Sequence, residues 1–214
     1  MAARRIFPRW LSGLIVLAIV VAGGVTLFVQ SGVYDVAADT PHFGPVTRLI
    51  DAVRMRSVEV RAEDVVRPAD FNDPKRVAAG AGLYNEMCSG CHLAPGMEPS
   101  EISRGLNPRA PVLTKPTGLT PEQEFWVIKH GIKMSGMAAW GVTHDDSLIW
   151  NMVAFIDKLP SLSAADYQAA TKDSGETHEH MMKDTPPGTS GTGTSGSGDQ
   201  GGSHDHGDHK DHRH

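Results

Sequence analysis

The sequence predicts a mostly α-helical protein: one apolar N-terminal helix, a small helical domain, and a tail without a fold. Three observations predict it. Residues 11–29 form an apolar run inside an uncharged stretch, 10–34, and the run is about as long as a membrane-spanning helix needs. Helix starts are written at Asn72-Asp73-Pro74 and Thr120-Pro121-Glu122-Gln123, each followed by apolar residues at helical spacing. Beyond residue 174, Gly, Ser, Thr, Pro and His dominate, a composition too poor in apolar groups to offset the entropy of ordering.

Taken in order, residues 1–30 are read as a membrane anchor. Arg4, Arg5 and Arg9 precede the apolar run and Asp35 and Asp39 follow it, so the positive-inside rule places the N-terminus in the cytoplasm and the rest outside. The rival is a cleaved signal peptide, with Val36-Ala37-Ala38 as a tolerable small-residue site. The run is longer than a signal core, which favours an uncleaved anchor. Either way the chain reaches the periplasm of a bacterium. The net charge of −5 is spread thinly and argues against nucleic acid as a partner.

Residues 31–72 read as a periplasmic linker. Val46, Leu49, Ile50 and Val53 recur at helical spacing, giving about three turns of amphipathic helix that either pack on the following domain or dock on a membrane partner. Residues 73–160 read as the folded domain. Asp73 caps its first helix, Pro74 occupies the first helical position, and Val77, Ala81, Tyr84 and Cys88 share one stripe beside Gly80. Residues 93–119 are rich in Pro and Gly and show no helix or strand period; Leu106, Val112 and Leu113 are candidates to contact whatever the loop wraps. A capping box at Thr120 and Gln123 opens the next helix, where consecutive Phe125, Trp126, Val127 and Ile128 predict burial nearly all round. Thr143 is the expected cap of the last domain helix, Leu148 to Leu159 carry a wide apolar stripe, and Trp150 falls off it, against the preceding loop or partly exposed. Residues 161–174 hold a short helix capped by Ser163, and 175–214 the tail.

The chemistry is concentrated in Cys88-Ser89-Gly90-Cys91-His92, which contains the only two cysteines of the chain. C-x-x-C-H is the attachment pattern of a c-type haem. On a helical turn the two thiols face one side, placed to add to the two vinyl groups of one porphyrin, and His92 follows where its imidazole can take an axial position on iron. A dithiol redox pair would want a βαβ context, and a zinc site would want a second C-x-x-C or distant histidines. The reading is therefore one covalent haem c. Its sixth ligand would come from Met134, Met137, His130 or His144; a thioether raises the reduction potential, a second histidine lowers it.

Residues 73–160 resemble the small, mostly helical class I cytochromes c. The likeness lies in Gly80, Tyr84 and Cys88 at four-residue intervals before C-x-x-C-H. Phe155 stands in the place of the aromatic that crosses the first helix at its glycine, and Pro111-Val112-Leu113 resembles the family's Pro-x-Leu. The resemblance implies that the Pro111 carbonyl accepts a hydrogen bond from the proximal imidazole and that Leu113 packs on the ring. Gly136-Met137-Ala138-Ala139-Trp140-Gly141 resembles the axial-ligand loop, which implies Met137 as distal ligand and Met134 as second choice. Ala138 replaces a common proline there, and the loop loses some stiffness. More widely, residues 31–167 resemble the membrane-anchored monohaem cytochromes of proteobacteria. That likeness implies electron transfer with redox partner proteins at the outer face of the inner membrane and no catalytic residue of the chain's own.

Two other readings stand beside the electron carrier. A labile sixth site would make a haem peroxidase-like or ligand-sensing protein. The tail suggests metal handling: His204, His206, His209, His212 and His214 are interleaved with aspartates, a donor set that suits zinc, nickel or copper(II) without selecting one. Arg104, Arg109, Lys115, Lys129 and Lys133 flank the segments expected near the haem and are candidates to steer an acidic partner.

Overall fold

A computed structural model describes residues 9–172; the histidines of the tail lie outside the described residues. Eight α-helices and two short 3-10 turns make up the described secondary structure. The first, α1 (Arg9–Ser31), is 23 residues, about 35 Å of helix, long and apolar enough to cross a membrane, a test that a signal sequence near an N-terminus also passes.

The domain is built on the crossing of two helices. α3 (Pro74–Met87) begins as its sequence predicts: the Asp73 carboxylate accepts the Lys75 amide at 2.8 Å and Pro74 opens the first turn. α7 (Asp146–Lys158) crosses it with Asn151 and Phe155 at Gly80. A Cβ on Gly80 would stand 1.9 Å from the Asn151 carbonyl oxygen and 2.9 Å from Phe155 Cβ, so only glycine lets the backbones meet. Arg76 clamps the same crossing, donating to Asn151 Oδ1 at 2.8 Å and pairing with Asp70 at 2.8 Å. Leu83, Tyr84, Ile149, Met152, Val153, Phe155 and Leu159 are fully buried between the helices. Each such side chain contributes roughly 1.5–3 kcal/mol by leaving water.

α6 (Pro121–His130) carries the complete capping box, Thr120 Oγ1 accepting from the Gln123 amide and Gln123 Oε1 from the Thr120 amide. It packs on α7 through Phe125 and Ile128; Trp126 and Val127 stay half-buried, because α2 and α7 cover only part of its circumference. Trp150 is neither against the preceding loop nor exposed. It stacks on Phe125 with ring centroids 4.4 Å apart and receives the edge of Phe71 at 5.9 Å. The stripe off which it falls faces α3, and Trp150 fills the second interface, with α6. α8 (Ala164–Lys172) closes the far side of α3, Tyr167 packing edge-on to Tyr84.

Three further expectations are corrected. The cap of α7 is Asp145, whose carboxylate accepts the Leu148 amide at 2.9 Å; Thr143 instead ends the 3-10 turn Trp140–Val142. The Pro/Gly-rich stretch 93–119 contains a helix, α5 (Glu101–Gly105), because Ser100 caps it by accepting the Ser103 amide. The helix after the anchor, α2 (Gly44–Ala62), has 19 residues rather than about three turns. Its second half packs on α6 through buried Val58 and Ala62, whereas Val46, Leu49, Ile50 and Val53 are exposed. The expected stripe is therefore not the face that meets the domain.

Candidate haem site

α4 (Ser89–His92) continues α3 by one turn, so Cys88, Cys91 and His92 emerge on one side at its end. The turn is stopped at Leu93, whose φ of 64° is a conformation few non-glycine residues adopt. The buried Tyr84 hydroxyl donates to the Leu93 carbonyl at 2.5 Å, which holds the chain in that turn. The Leu113 amide donates to the His92 carbonyl at 3.1 Å, and His92 Nδ1 meets the Pro111 carbonyl at 2.8 Å. A carbonyl only accepts, so the proton sits on Nδ1 and the lone pair of Nε2 is left for a metal. Burial lowers the His92 pKa, against the hydrogen bond to Pro111, and favours the neutral imidazole that a metal binds.

Both cysteines, His92 and Met137 line one cavity of about 440 Å³, within the range of cofactor sites. Met87, Cys88 and Cys91 form one wall; Leu106, Pro108, Arg109, Pro111 and Leu113 come from the loop; Glu124, Val127 and Ile128 come from α6. Ile132, Gly136, Met137 and Trp140 close another side. The lining is mostly apolar, with two thiols, one oriented imidazole and, besides Met55 and Met87, the thioether of Met137. That is the donor set a covalently tethered iron porphyrin requires, and the residues fit it. A redox dithiol is poorly served, since burial, with Cys91 nearby, pushes the Cys88 thiol up to about 12, away from the thiolate that such chemistry needs. Among the described residues no three or more His, Cys, Asp or Glu cluster as a metal site.

Met137 is held by its backbone. Its amide donates to Ser135 Oγ at 3.1 Å and its carbonyl accepts the Ile132 amide at 3.2 Å. The loop lies across the end of α6 at Gly131, where φ is 65° and a Cβ would come within 2.7 Å of the Met137 carbonyl oxygen. These contacts supply constraint at the position where Ala138 stands instead of proline. The other candidate donors are elsewhere. Met134 is 91% exposed. His130 lies beside Trp126, and His144 bonds the Thr143 hydroxyl at 2.8 Å; neither lines the cavity. Val112 does not line it either and is exposed.

The cavity also recruits residues that the sequence did not announce. Arg54, Met55 and Val58 of α2 form part of its wall. The available signal was a second stripe in α2, Met55, Val58 and Ala62, at helical spacing on the face opposite the first. Glu124 lines the cavity from α6, its Oε1 accepting from the Thr117 hydroxyl at 2.7 Å. Burial raises its pKa, against that hydrogen bond, and the nearby Asp157 charge raises it further. Of the five proposed steering cations, Arg109 borders the cavity and Lys129 is paired with Asp146 at 2.7 Å.

A family model described as cytochrome C oxidase, cbb3-type, subunit III matches residues 75–156, less than half of the chain. Comparisons with curated proteins and with solved structures give no match. The matched stretch runs from the first turn of α3 into α7 and holds Cys88, Cys91, His92 and Met137; α1, α2 and α8 lie outside it.

Proposed function

We propose that this chain, whose residues 75–156 form a c-type cytochrome domain, transfers single electrons through one haem bonded to Cys88 and Cys91. In this reading His92 and Met137 are the residues that would hold its iron. The observation that carries it is the convergence of both thiols, the Nε2 side of His92 and Met137 on one apolar cavity, with Met134, His130 and His144 directed elsewhere. When bound, the haem supplies the one-electron couple of its iron. The chain's own residues do the rest. Pro111 fixes the imidazole tautomer, Leu113, Val127 and Ile128 exclude water, and the two backbone hydrogen bonds of Met137 fix the position from which its thioether would reach the iron.

The domain works at the outer face of the bacterial inner membrane, held there by α1. The charge pattern around α1 supports that orientation. It acts as a carrier or as the cytochrome subunit of an oxidoreductase; the name of the matching family, an oxidase subunit, supports assembly with a larger complex. The test is covalent attachment. Purified full-length protein should keep its haem through denaturing electrophoresis and give the haemochrome spectrum of two thioether bonds, and the double variant Cys88→Ala, Cys91→Ala should lose both. Haem that leaves the wild type on denaturation would contradict the reading.

A further inference from the structure

We infer that α2 lies on the surface of the bilayer that α1 spans, apolar face down, with the haem domain seated on its opposite face; this rests on the membrane placement proposed above. At 100° per residue, Val46, Leu49, Ile50, Val53 and Val60 form one aliphatic stripe. All five are exposed, Leu49 at 66% and Val53 at 62%. The opposite face is already used: Val58 and Ala62 are buried against the domain and Met55 lines the cavity. α2 therefore has two apolar faces, of which the domain covers one.

The bilayer is the occupant that the surroundings indicate. α2 begins only twelve residues after α1 ends, a tether that reaches at most about 40 Å fully extended. Phe43, at the start of α2, is 72% exposed, and Val33 and Val36 in the tether are exposed as well. Arginines border the stripe on both sides, Arg56 on one and Arg61 on the other. Both line a shallow groove together with Ala52, Val53, Ser57 and Val60, where an arginine's methylene stem can cover apolar surface while its head stays in water. Guanidinium heads at the edges of an aliphatic face match lipid phosphates above acyl chains. Within α2 the acidic residues, Asp51 and Glu59, fall on the half of the helix away from the stripe. Arg56 pairs with Glu59 at 2.8 Å and Arg61 with the Ser57 hydroxyl at 2.7 Å; these are exposed contacts, worth little, that a phosphate can replace. The consequence is directional: α2 stands between the bilayer and the haem cavity, so the cavity is held at a set height and tilt for partners in the same membrane.

The experiment uses the full-length haem-loaded protein in vesicles of phosphatidylethanolamine and phosphatidylglycerol. A nitroxide is placed at Leu49→Cys, Val53→Cys or Glu59→Cys, one at a time; Cys88 and Cys91, bonded to haem, do not compete for the label. Power saturation with oxygen and with a water-soluble nickel chelate is then read at each site. The result expected is an oxygen-to-nickel accessibility ratio several-fold higher at 49 and 53 than at 59. Equal, high nickel access at all three sites would show the stripe in water and overturn the inference. Low access to both reagents at 49 and 53 would show protein over the stripe, a second copy or another membrane protein, and would overturn it equally. An optical spectrum of the same samples separates the two claims. A normal c-type spectrum with a water-exposed stripe removes the docking and leaves the electron carrier. Absence of covalent haem in the wild type removes the carrier, while the accessibility pattern still decides the docking.

Discussion

At the scale of single residues, the account turns on where each donor's backbone is fixed. Tyr84 holds Leu93 in a turn it would not take alone, and the turn presents His92. Tyr84→Phe removes one buried hydrogen bond; a loss of about 1–2 kcal/mol in chemical denaturation of the haem-loaded protein is expected. Glu124 is a different case, a carboxyl on an apolar wall with its pKa raised first by burial. Because the folded value lies above the unfolded one, near 4.3, its contribution to stability is full below that pH and is lost as pH rises through the folded pKa. A carboxylate facing the haem also favours ferric iron. The reduction potential of the wild type should therefore fall as pH rises above about 4.3 through that titration, and Glu124→Gln should flatten the fall. Spectroelectrochemical titration across pH would show it; identical slopes in both proteins would contradict it. The Cys-x-x-Cys-His motif was legible in the sequence because bonding chemistry fixes both spacing and order. Glu124 was not, because one acidic residue beside an apolar run reads as the polar edge of a helix until the fold aims it inward.

At the scale of elements, helix starts were legible because capping is local: Asp73, Thr120 and Ser163 each bond an amide within a few residues. The choice of Thr143 over Asp145 failed on one local detail, the 3-10 turn that delays the start of α7. Asp145→Ala should cost about 1 kcal/mol and Thr143→Ala less, read as the shift in denaturation midpoint. The crossing of α3 and α7 makes a larger demand. Gly80→Ala would drive a methyl group into the Asn151 carbonyl, and a loss of about 3 kcal/mol or failure to fold is expected. Trp150 was misplaced, and the neighbour of the α2 stripe left open, for one reason: periodicity shows which faces are apolar, not which neighbour each face meets. Trp150→Ala, removing a ring stacked on Phe125, should cost about 3–5 kcal/mol in the same assay.

At the scale of the whole molecule, the cavity is the space around which the loop 93–119, α2, α6 and the Met137 loop are arranged. The chain walls it with elements far apart in sequence, from Arg54 to Ile156, beyond the reach of any local motif. A small domain with so large an internal space depends on its occupant for stability, so haem-free protein should unfold with a broad, weakly cooperative transition while the loaded protein unfolds sharply. Circular dichroism of both forms would distinguish these; a sharp transition without haem would show that the helices alone suffice. The central claim is that His92 and Met137 hold one iron between them. It is tested most directly by the optical spectrum of the purified protein, oxidised and reduced, for wild type and Met137→Ala. The account predicts a low-spin wild type with the weak ferric charge-transfer band of sulfur ligation, and its loss in the variant. A high-spin wild type, or a variant indistinguishable from it, would contradict the account.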